Sequence, residues 1–257
     1  MTFSSSSKRA GEAFFLFYSI VWIGLLAAIV QFQLWKSFAP KDYVALGLSL
    51  SLPSFLIPML FPLHAVDRNK SISNRYVIKA NVFIGIIGCL GNHFYTHYFY
   101  AVLHVRYTGP LHNDKGWSFN GVPISMHLLT HPYFCFYHVL ATKLLRCFRA
   151  YVSCNKFARL LFLCGLSYSI AWMETYTISS FPYYTYPNLS DMLTYGSLFY
   201  ALFLAISVPL FARIDEEEEW EMKRVVIEAL ATMMLILIVA DMCRLALASK
   251  NQHLPFL

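Results

Sequence analysis

The feature that most constrains this chain is a series of seven apolar stretches, each long enough to cross a lipid bilayer. A transmembrane helix needs about 20 largely apolar residues. The stretches cover residues 14–35, 43–63, 80–103, 122–143, 159–180, 194–212 and 225–248. The sequence therefore predicts an all-α, polytopic integral membrane helical bundle of about seven transmembrane helices. Because so little of the chain lies outside these stretches, residues 1–257 are predicted to form a single membrane-embedded domain.

Composition excludes several other classes of protein. The chain is 58% hydrophobic and only 13% charged, with a mean hydropathy of +0.51, whereas about a quarter of a soluble domain is charged. The net charge of +6 is spread through short loops, so it does not predict a nucleic-acid partner. The first apolar stretch is longer than the roughly 7–15 residues of a signal-peptide core, which favours a retained signal-anchor helix.

Basic residues predict the orientation of the bundle. If the seven stretches alternate, 14 of the 20 Lys and Arg residues fall on the side of the N-terminus. The positive-inside rule then predicts a short cytosolic N-terminus, residues 1–13, and a lumenal C-terminal tail, residues 249–257. Asn69 and Asn188 each begin a glycosylation acceptor sequence, and only Asn188 is expected to face the lumen.

Two further features concern single segments of the chain. Pro53, Pro58 and Pro62 remove backbone donors and are expected to kink or break the second helix. The acidic run 215–221 is interpreted as a solvated loop. The six cysteines include no C-x-x-C pair, so no disulfide framework or zinc knuckle is predicted.

Ionisable residues within the apolar stretches are the candidates for function, because such groups are costly at membrane depth. They are Glu174, Asp241, His93, His97, His127, His131 and His138. At about 1.5 Å rise per residue, four helices bring these groups to the same half of the bilayer. We therefore expect a buried polar pocket rimmed by aromatic side chains such as Tyr95, Tyr98, Phe134, Tyr137 and Tyr168. The simpler alternatives are that the histidines hydrogen bond between helices and that Asp241 pairs with Arg244.

Helical spacing sharpens the prediction for two helices. In the fifth stretch, Ser167, Ala171, Glu174, Thr175 and Ile178 fall on one face. In the third stretch, a stripe suited to close helix packing contains Asn81, Gly85, Gly88 and Asn92.

Several functions remain open at this point. Two pairs of histidines spaced four apart resemble a metal site, as in an integral-membrane iron-dependent hydroxylase or desaturase, but few carboxylates lie nearby. A seven-helix proton-coupled transporter or receptor could use the same groups as a proton relay. The chain contains no P-loop, Rossmann glycine pattern or G-x-S-x-G motif.

A set of short motifs carries a resemblance to a known family. The motifs are residues 8–18 (KRAGEAFFLFY), 91–99 (GNHFYTHYF), 129–131 (LTH), 136–139 (FYHV), 170–175 (IAWMET) and 181–184 (FPYY). In order and spacing the chain resembles the cycloeucalenol cycloisomerases, which are cyclopropyl sterol isomerases, from about residue 8 to about residue 247. The family pattern matches this chain at residues 96–99 and at His131, His138 and Glu174.

The resemblance implies an isomerase of the endoplasmic reticulum membrane that opens the 9β,19-cyclopropane ring of a sterol to give a Δ8 sterol. No cofactor and no metal are implied, and the partners are a cyclopropyl sterol and membrane lipid. Protonation of a ring carbon requires a positioned acid. We expect Glu174, with His97 and His131, to be catalytic. The residues expected to bind substrate are His138, Asn92, Tyr95, Tyr98, Tyr137, Tyr168 and Asp241.

Overall fold

The computed structural model describes residues 5–111, 117–151 and 155–250 and consists mainly of α-helices. The helices are α1 (Ser6–Gln31), α2 (Pro40–Leu60), α3 (Tyr76–Leu90), α4 (Thr96–Leu103), α5 (Ile124–Tyr151), α6 (Lys156–Ser179), α7 (Leu189–Asp191), α8 (Ser197–Ala212) and α9 (Met222–Lys250). Most of the tail predicted at 249–257 lies outside the described residues. The predicted N-terminal segment 1–13 is helical from Ser6 onward.

Two of the long helices contain a π-helical turn. Gly91–Tyr95 joins α3 to α4, and Met192–Gly196 joins α7 to α8. With these joints, the described residues form seven long helices at the positions that the apolar stretches predict. Five of them are long and apolar enough to cross a membrane: Ser6–Gln31, Pro40–Leu60, Tyr76–Leu103, Leu189–Ala212 and Met222–Leu245. The prediction of an all-α membrane bundle is confirmed.

The outer surface of the bundle is apolar. Phe17 on α1 is 71% exposed and Met242 on α9 is 65% exposed, and many other large apolar side chains are exposed on the same helices. A soluble monomer rarely leaves so much apolar surface in contact with water. This surface is therefore suited to contact with lipid chains.

The prolines of the second helix do not break it. Helix α2 continues through Pro53 and Pro58, and Pro62 lies beyond its end. Pro58 has no N–H to donate to the carbonyl of Ser54, four residues earlier. That carbonyl instead accepts a hydrogen bond of 2.9 Å from the side-chain amide of Asn81 on α3. A neighbouring helix thus supplies the missing donor, as is common in membrane proteins.

One end of the bundle holds a buried ion cluster. Its members are Lys8, Glu12, Lys79, Arg146, Asp215 and Glu216. Lys79 and Lys8 are fully buried; Lys79 lies 2.9 Å from Asp215, and Lys8 lies 2.6 Å from Glu216. Arg146 makes a bidentate ion pair with Glu12 at 3.0 and 2.9 Å. The cluster therefore ties α1, α3 and α5 to the segment that follows α8.

The interpretation of residues 215–221 as a solvated loop is wrong for part of the run. Asp215 and Trp220 are buried, at 6% and 3% exposure, and Asp215 also accepts a hydrogen bond from the backbone N–H of Trp220. Lysines that are buried in α1 and α3 require carboxylate partners, and this segment folds back to provide them. The three residues before Trp220, Glu217 to Glu219, are exposed, as predicted for a solvated loop.

Two short antiparallel strand pairs lie at the opposite end of the bundle from the ion cluster. Strand β1 (Arg106–Tyr107) pairs antiparallel with β4 (Tyr184–Thr185), and β2 (Ser118–Phe119) pairs with β3 (Val122–Pro123). Helix α5 therefore begins at Ile124, just after residue 122, where the fourth apolar stretch was predicted to start. The β1–β4 pair links the loop after α4 to the loop after α6.

Candidate active site

Two cavities within the bundle meet at Glu174. The first cavity measures about 150 Å³ and is lined by α4, α5, α6, α8, the two π-helical turns and the β1–β4 pair. The second cavity measures about 280 Å³ and is lined mainly by α1, α2, α5 and α6. Both include Glu174, Met126, Thr130 and Ile178 in their walls. Their combined size is in the range of pockets that hold small ligands, about 300–1,000 Å³.

The sequence periodicity of α6 directs Glu174 inward. Ala171 and Thr175 are buried on the same face, whereas Met173 and Tyr176 are 65% and 56% exposed. A 3.6-residue repeat places positions 171, 174, 175 and 178 on one side of a helix. The predicted inward face of this helix is confirmed.

The carboxyl group of Glu174 interacts with tyrosines rather than with a cation. The hydroxyl of Tyr200 on α8 donates a hydrogen bond of 2.5 Å to Glu174 Oε2. The hydroxyl of Tyr137 on α5 also hydrogen bonds to Glu174. Within the part of the chain that the structure describes, no Lys or Arg pairs with this carboxyl. A carboxyl without a cation in an apolar environment favours its protonated form, and such an acid can donate a proton.

The π-helical turn between α3 and α4 shapes the first cavity. Asn92 lies in it and donates to the Gly88 carbonyl and to Thr130 Oγ1, both at 2.9 Å. Tyr95 follows and donates to the Phe199 carbonyl. Single π-turns of this kind are frequent at functional sites because they reorient side chains. Asn92 and Tyr95 both line the first cavity, as expected for predicted substrate-binding residues.

Aromatic side chains of the β1–β4 pair line one end of the first cavity. Tyr107 of β1 and Tyr184 of β4 both contribute to its wall, with ring centroids 5.4 Å apart. Burial raises the pKa of Tyr107 well above its usual range, so its hydroxyl stays protonated. This end of the cavity therefore presents neutral hydroxyls and π faces.

The structure does not bring the predicted catalytic histidines to Glu174. His131 is buried between α2 and α3, with Nε2 2.8 Å from Asn81 Oδ1 and its ring stacked on Phe55. His97 lies with Nε2 3.0 Å from the Asn120 carbonyl, in the loop before α5. Neither histidine lines either cavity. Their catalytic roles stay predictions, because the hydrogen bonds that they make are with Asn81 and the Asn120 carbonyl and not with Glu174.

The predicted substrate-binding residues divide in a similar way. Tyr137 lines the second cavity, whereas His138 is fully buried between the Phe134 carbonyl and the hydroxyl of Ser207. The hydroxyl of Tyr98 faces the Leu237 carbonyl on α9. Tyr168 is 38% exposed on α6, and none of these last three lines a cavity at Glu174.

Asp241 pairs with Arg244, which was the simpler of the two alternatives for this residue. Its carboxylate accepts from Arg244 at 2.8 Å, with the two side chains on successive turns of α9. Asp241 lines neither cavity. The local ion pair explains how this carboxylate is accommodated on an apolar helix.

Sequence reasoning missed several residues at the site, among them Tyr200, Tyr133 and Thr130. Tyr133 lines the second cavity and Thr130 both. The sequence search considered ionisable groups at membrane depth, and a tyrosine or threonine in an apolar stretch carries no such signal. For two of these residues, helical spacing along α5 could have given a signal. Tyr133 lies one turn before the predicted Tyr137, and Thr130 lies one turn before the predicted Phe134.

The described residues contain no group of three or more His, Cys, Asp or Glu side chains arranged to hold a metal ion. The two other candidate histidines, His93 and His127, both lie beside the ring of Phe119, with ring centroids 4.8 and 5.8 Å away.

Comparison with known proteins identifies the family. No family model matches the chain, and no solved structure matches it. The chain is 40% identical over 252 residues to a curated protein from Arabidopsis thaliana named cycloeucalenol cycloisomerase, with 94% of this chain and 87% of that protein covered. With identity at this level along nearly its whole length, the chain belongs to the cycloeucalenol cycloisomerase family.

Proposed function

We propose that this protein is a sterol isomerase that opens the 9β,19-cyclopropane ring of a cycloeucalenol-type sterol to give a Δ8 sterol. The observation that carries the proposal is Glu174, a carboxyl group held by two tyrosines where two aromatic-lined cavities meet. The name of the Arabidopsis relative supports the substrate class. The relative gives no support to an iron-dependent hydroxylase or to a transporter.

The reaction needs a proton donor and a proton acceptor. In the first step Glu174 transfers its carboxyl proton to C19, the C9–C19 bond breaks, and C19 becomes a methyl group. The electrons of the broken bond form the new C–H bond, which leaves a tertiary cation at C9. Loss of the C8 proton to a base then forms the C8=C9 double bond. The sterol gains one proton at C19 and loses one from C8, so its formula is unchanged and the reaction requires no oxidant or reductant.

The surrounding groups suit this sequence. The hydroxyls of Tyr137 and Tyr200 donate to the carboxylate that Glu174 becomes after the first step, and charge-assisted hydrogen bonds are stronger than neutral ones. The π faces of Tyr184, Phe134 and Phe203 line the first cavity and can stabilise a cation without bonding to it. His97 and His131 stay predicted acid/base partners whose effect on Glu174 would be indirect.

The test is the conversion of a cyclopropyl sterol by Glu174→Gln. Gln accepts the same hydrogen bond but has no acidic proton, so turnover should fall by at least the roughly 10²–10⁴-fold typical of general acids. Glu228→Gln is the matched control, because Glu228 pairs with Arg213 outside both cavities. Product is measured by mass spectrometry in a sterol-defined host, and sterol binding is measured separately.

The alternative outcome is equally clear. If Glu174→Gln converts sterol at the wild-type rate while His97→Gln or His131→Gln does not, the donor is a histidine. In water enriched in deuterium, the wild-type product should carry one deuterium in the new C19 methyl group, and its absence would contradict proton delivery to carbon.

We also propose that all seven long helices cross the endoplasmic reticulum membrane with the N-terminus in the cytosol. Helices α5 and α6 join the five more apolar ones in this arrangement. The asymmetry of basic residues supports it, as does the location of the two glycosylation sequences at different ends of the bundle: Asn69 near Asp67 and Ser7, Asn188 after β4. A cysteine placed at position 188 should be protected from cytosolic labelling reagents; glycan on Asn69 would contradict the orientation.

A further inference from the structure

A third cavity lies at the ion-cluster end of the bundle, outside the proposed active site. It measures about 310 Å³ and is bounded by the ends of α5 and α8, the start of α6 and α9, and the acidic segment between α8 and α9. It shares no lining residue with the two cavities at Glu174. Five arginines line it: Arg146, Arg149, Arg159, Arg213 and Arg224.

The arginines are unequally neutralised. Arg146 pairs with Glu12 and Glu216, and Arg213 pairs with Glu228. Arg224 pairs with Glu218 and Glu228 and lies over the Trp220 ring. In the described part of the chain, the side chains of Arg149 and Arg159 make neither an ion pair nor a hydrogen bond. The lining also includes Glu216, Glu217 and Glu218. Arginines therefore outnumber carboxylates in the wall, and two guanidinium groups are available for an anion.

Two buried polar atoms in the wall also lack partners. Thr142 is 4% exposed, and its hydroxyl makes no hydrogen bond; Nε of Arg146, one turn further along α5, makes none either. Buried polar groups are nearly always hydrogen bonded, and an exception calls for an explanation such as a ligand or water. Both residues line the cavity. An anionic ligand with several acceptor oxygens would satisfy them.

Apolar side chains also line the cavity and extend to the outer surface of the bundle. Leu145, Leu163 and Pro209 line the cavity, and Leu160 lines it while being 55% exposed. Phe157 and Leu161, beside it on α6, are also exposed, at 66% and 57%. The cavity therefore joins a guanidinium-rich wall to the surface that faces lipid. A soluble phosphorylated molecule would have no use for the apolar side, whereas a phospholipid has both a phosphate and acyl chains.

We propose that this cavity binds the phosphate-bearing headgroup of an anionic phospholipid, with its acyl chains lying along the exposed apolar side chains of α5 and α6. Guanidinium groups match phosphate oxygens in a planar, bidentate geometry. Basic pockets between membrane helices are suited to anionic headgroups. The bound lipid would join α5 and α6 to the segment after α8, which is the segment that completes the ion cluster.

The experiment titrates the purified full-length chain in detergent with phosphatidic acid or phosphatidylcholine and counts bound lipid by native mass spectrometry. The wild-type chain should bind phosphatidic acid more tightly. The test variant is Arg149→Gln/Arg159→Gln, which removes the two unpaired guanidinium groups. Its Kd for phosphatidic acid should rise roughly 30-fold, from the contribution of two basic residues near an anionic lipid.

The matched control is Arg9→Gln/Arg68→Gln. Both residues are exposed at the same end of the bundle and outside the cavity, so the change in net charge is identical. Unchanged binding in this control supports a specific site. Equal weakening in both variants overturns the proposal in favour of general surface attraction, as does equal binding of the two lipids by the wild type. Displacement of phosphatidic acid by inorganic phosphate at similar concentration would assign the site to a free anion and also overturn it.

Discussion

The hydrogen bond between Tyr200 and Glu174 provides a graded test of the proposed chemistry. Tyr200→Phe removes one hydroxyl, which lies 2.5 Å from Glu174 Oε2, and leaves the ring in the wall of the first cavity. If Glu174 gives up its proton in the rate-determining step, this hydroxyl donates to a neutral acid before the step and to a carboxylate after it. Only the difference between those two hydrogen bonds affects the rate.

The size of the effect follows from typical hydrogen-bond energies. A hydrogen bond contributes about 0.5–1.5 kcal/mol between neutral groups and about 1.5–3 kcal/mol when one group is charged. The difference of about 1–1.5 kcal/mol corresponds to roughly a 10-fold loss in kcat. The loss should be much smaller than that of Glu174→Gln, because the proton donor itself is retained. Tyr137→Phe should have a similar effect for the same reason.

The assay is the initial rate of sterol isomerisation by purified protein in lipid nanodiscs, at saturating substrate. Tyr18→Phe is the control, because the Tyr18 hydroxyl donates to the Leu50 carbonyl and lines neither cavity at Glu174. A rate for Tyr200→Phe within about twofold of the Tyr18→Phe rate would refute the reasoning. It would mean that no charge develops on Glu174 in the step that limits turnover.

Two further predictions concern stability and are measured by denaturation of the reconstituted protein. Lys79→Met should destabilise the fold by about 3–5 kcal/mol, because it leaves the Asp215 carboxylate buried without its cation; adding Asp215→Asn should recover much of the loss, and no recovery would contradict the assignment. Gly11→Ala should cost about 1–3 kcal/mol, because its new Cβ would lie 2.7 Å from Cδ1 of the fully buried Tyr76 ring. Gly24→Ala on the same helix is the control, since nothing lies within 4 Å of its Cβ; equal losses would contradict the steric argument.

Several features of the site were predictable because they depend on local sequence. Apolar length predicted each long helix to within a few residues at most ends, and helical periodicity predicted that Glu174 faces inward with Ala171 and Thr175. The presence of Arg244 one turn after Asp241 was enough to suggest their pairing. These features depend on spacing along one helix, which hydropathy and the 3.6-residue repeat describe directly.

Other features depend on contacts between residues that are distant in the chain. Arg146 and Glu12 are 134 residues apart in sequence, and His138 reaches Ser207 across 69 residues. Nothing in the sequence near Asp215 indicates that Lys79 will be buried against it, so the acidic run resembled an ordinary solvated loop. In the same way, the histidines appeared to be acid/base candidates until their helix partners were known.

The sequence by itself determined the membrane-embedded all-α class, the positions of the seven helices and the inward orientation of a carboxyl at membrane depth. Only the tertiary structure decided which groups contact that carboxyl. Tyr137 and Tyr200 hydrogen bond to Glu174, whereas the predicted partner His131 contacts Asn81. The physical reason is that apolar character and helical periodicity constrain each helix separately. The rotation and depth of one helix against another depend on the packing of many side chains at once, and the two cavities exist only in that packed arrangement.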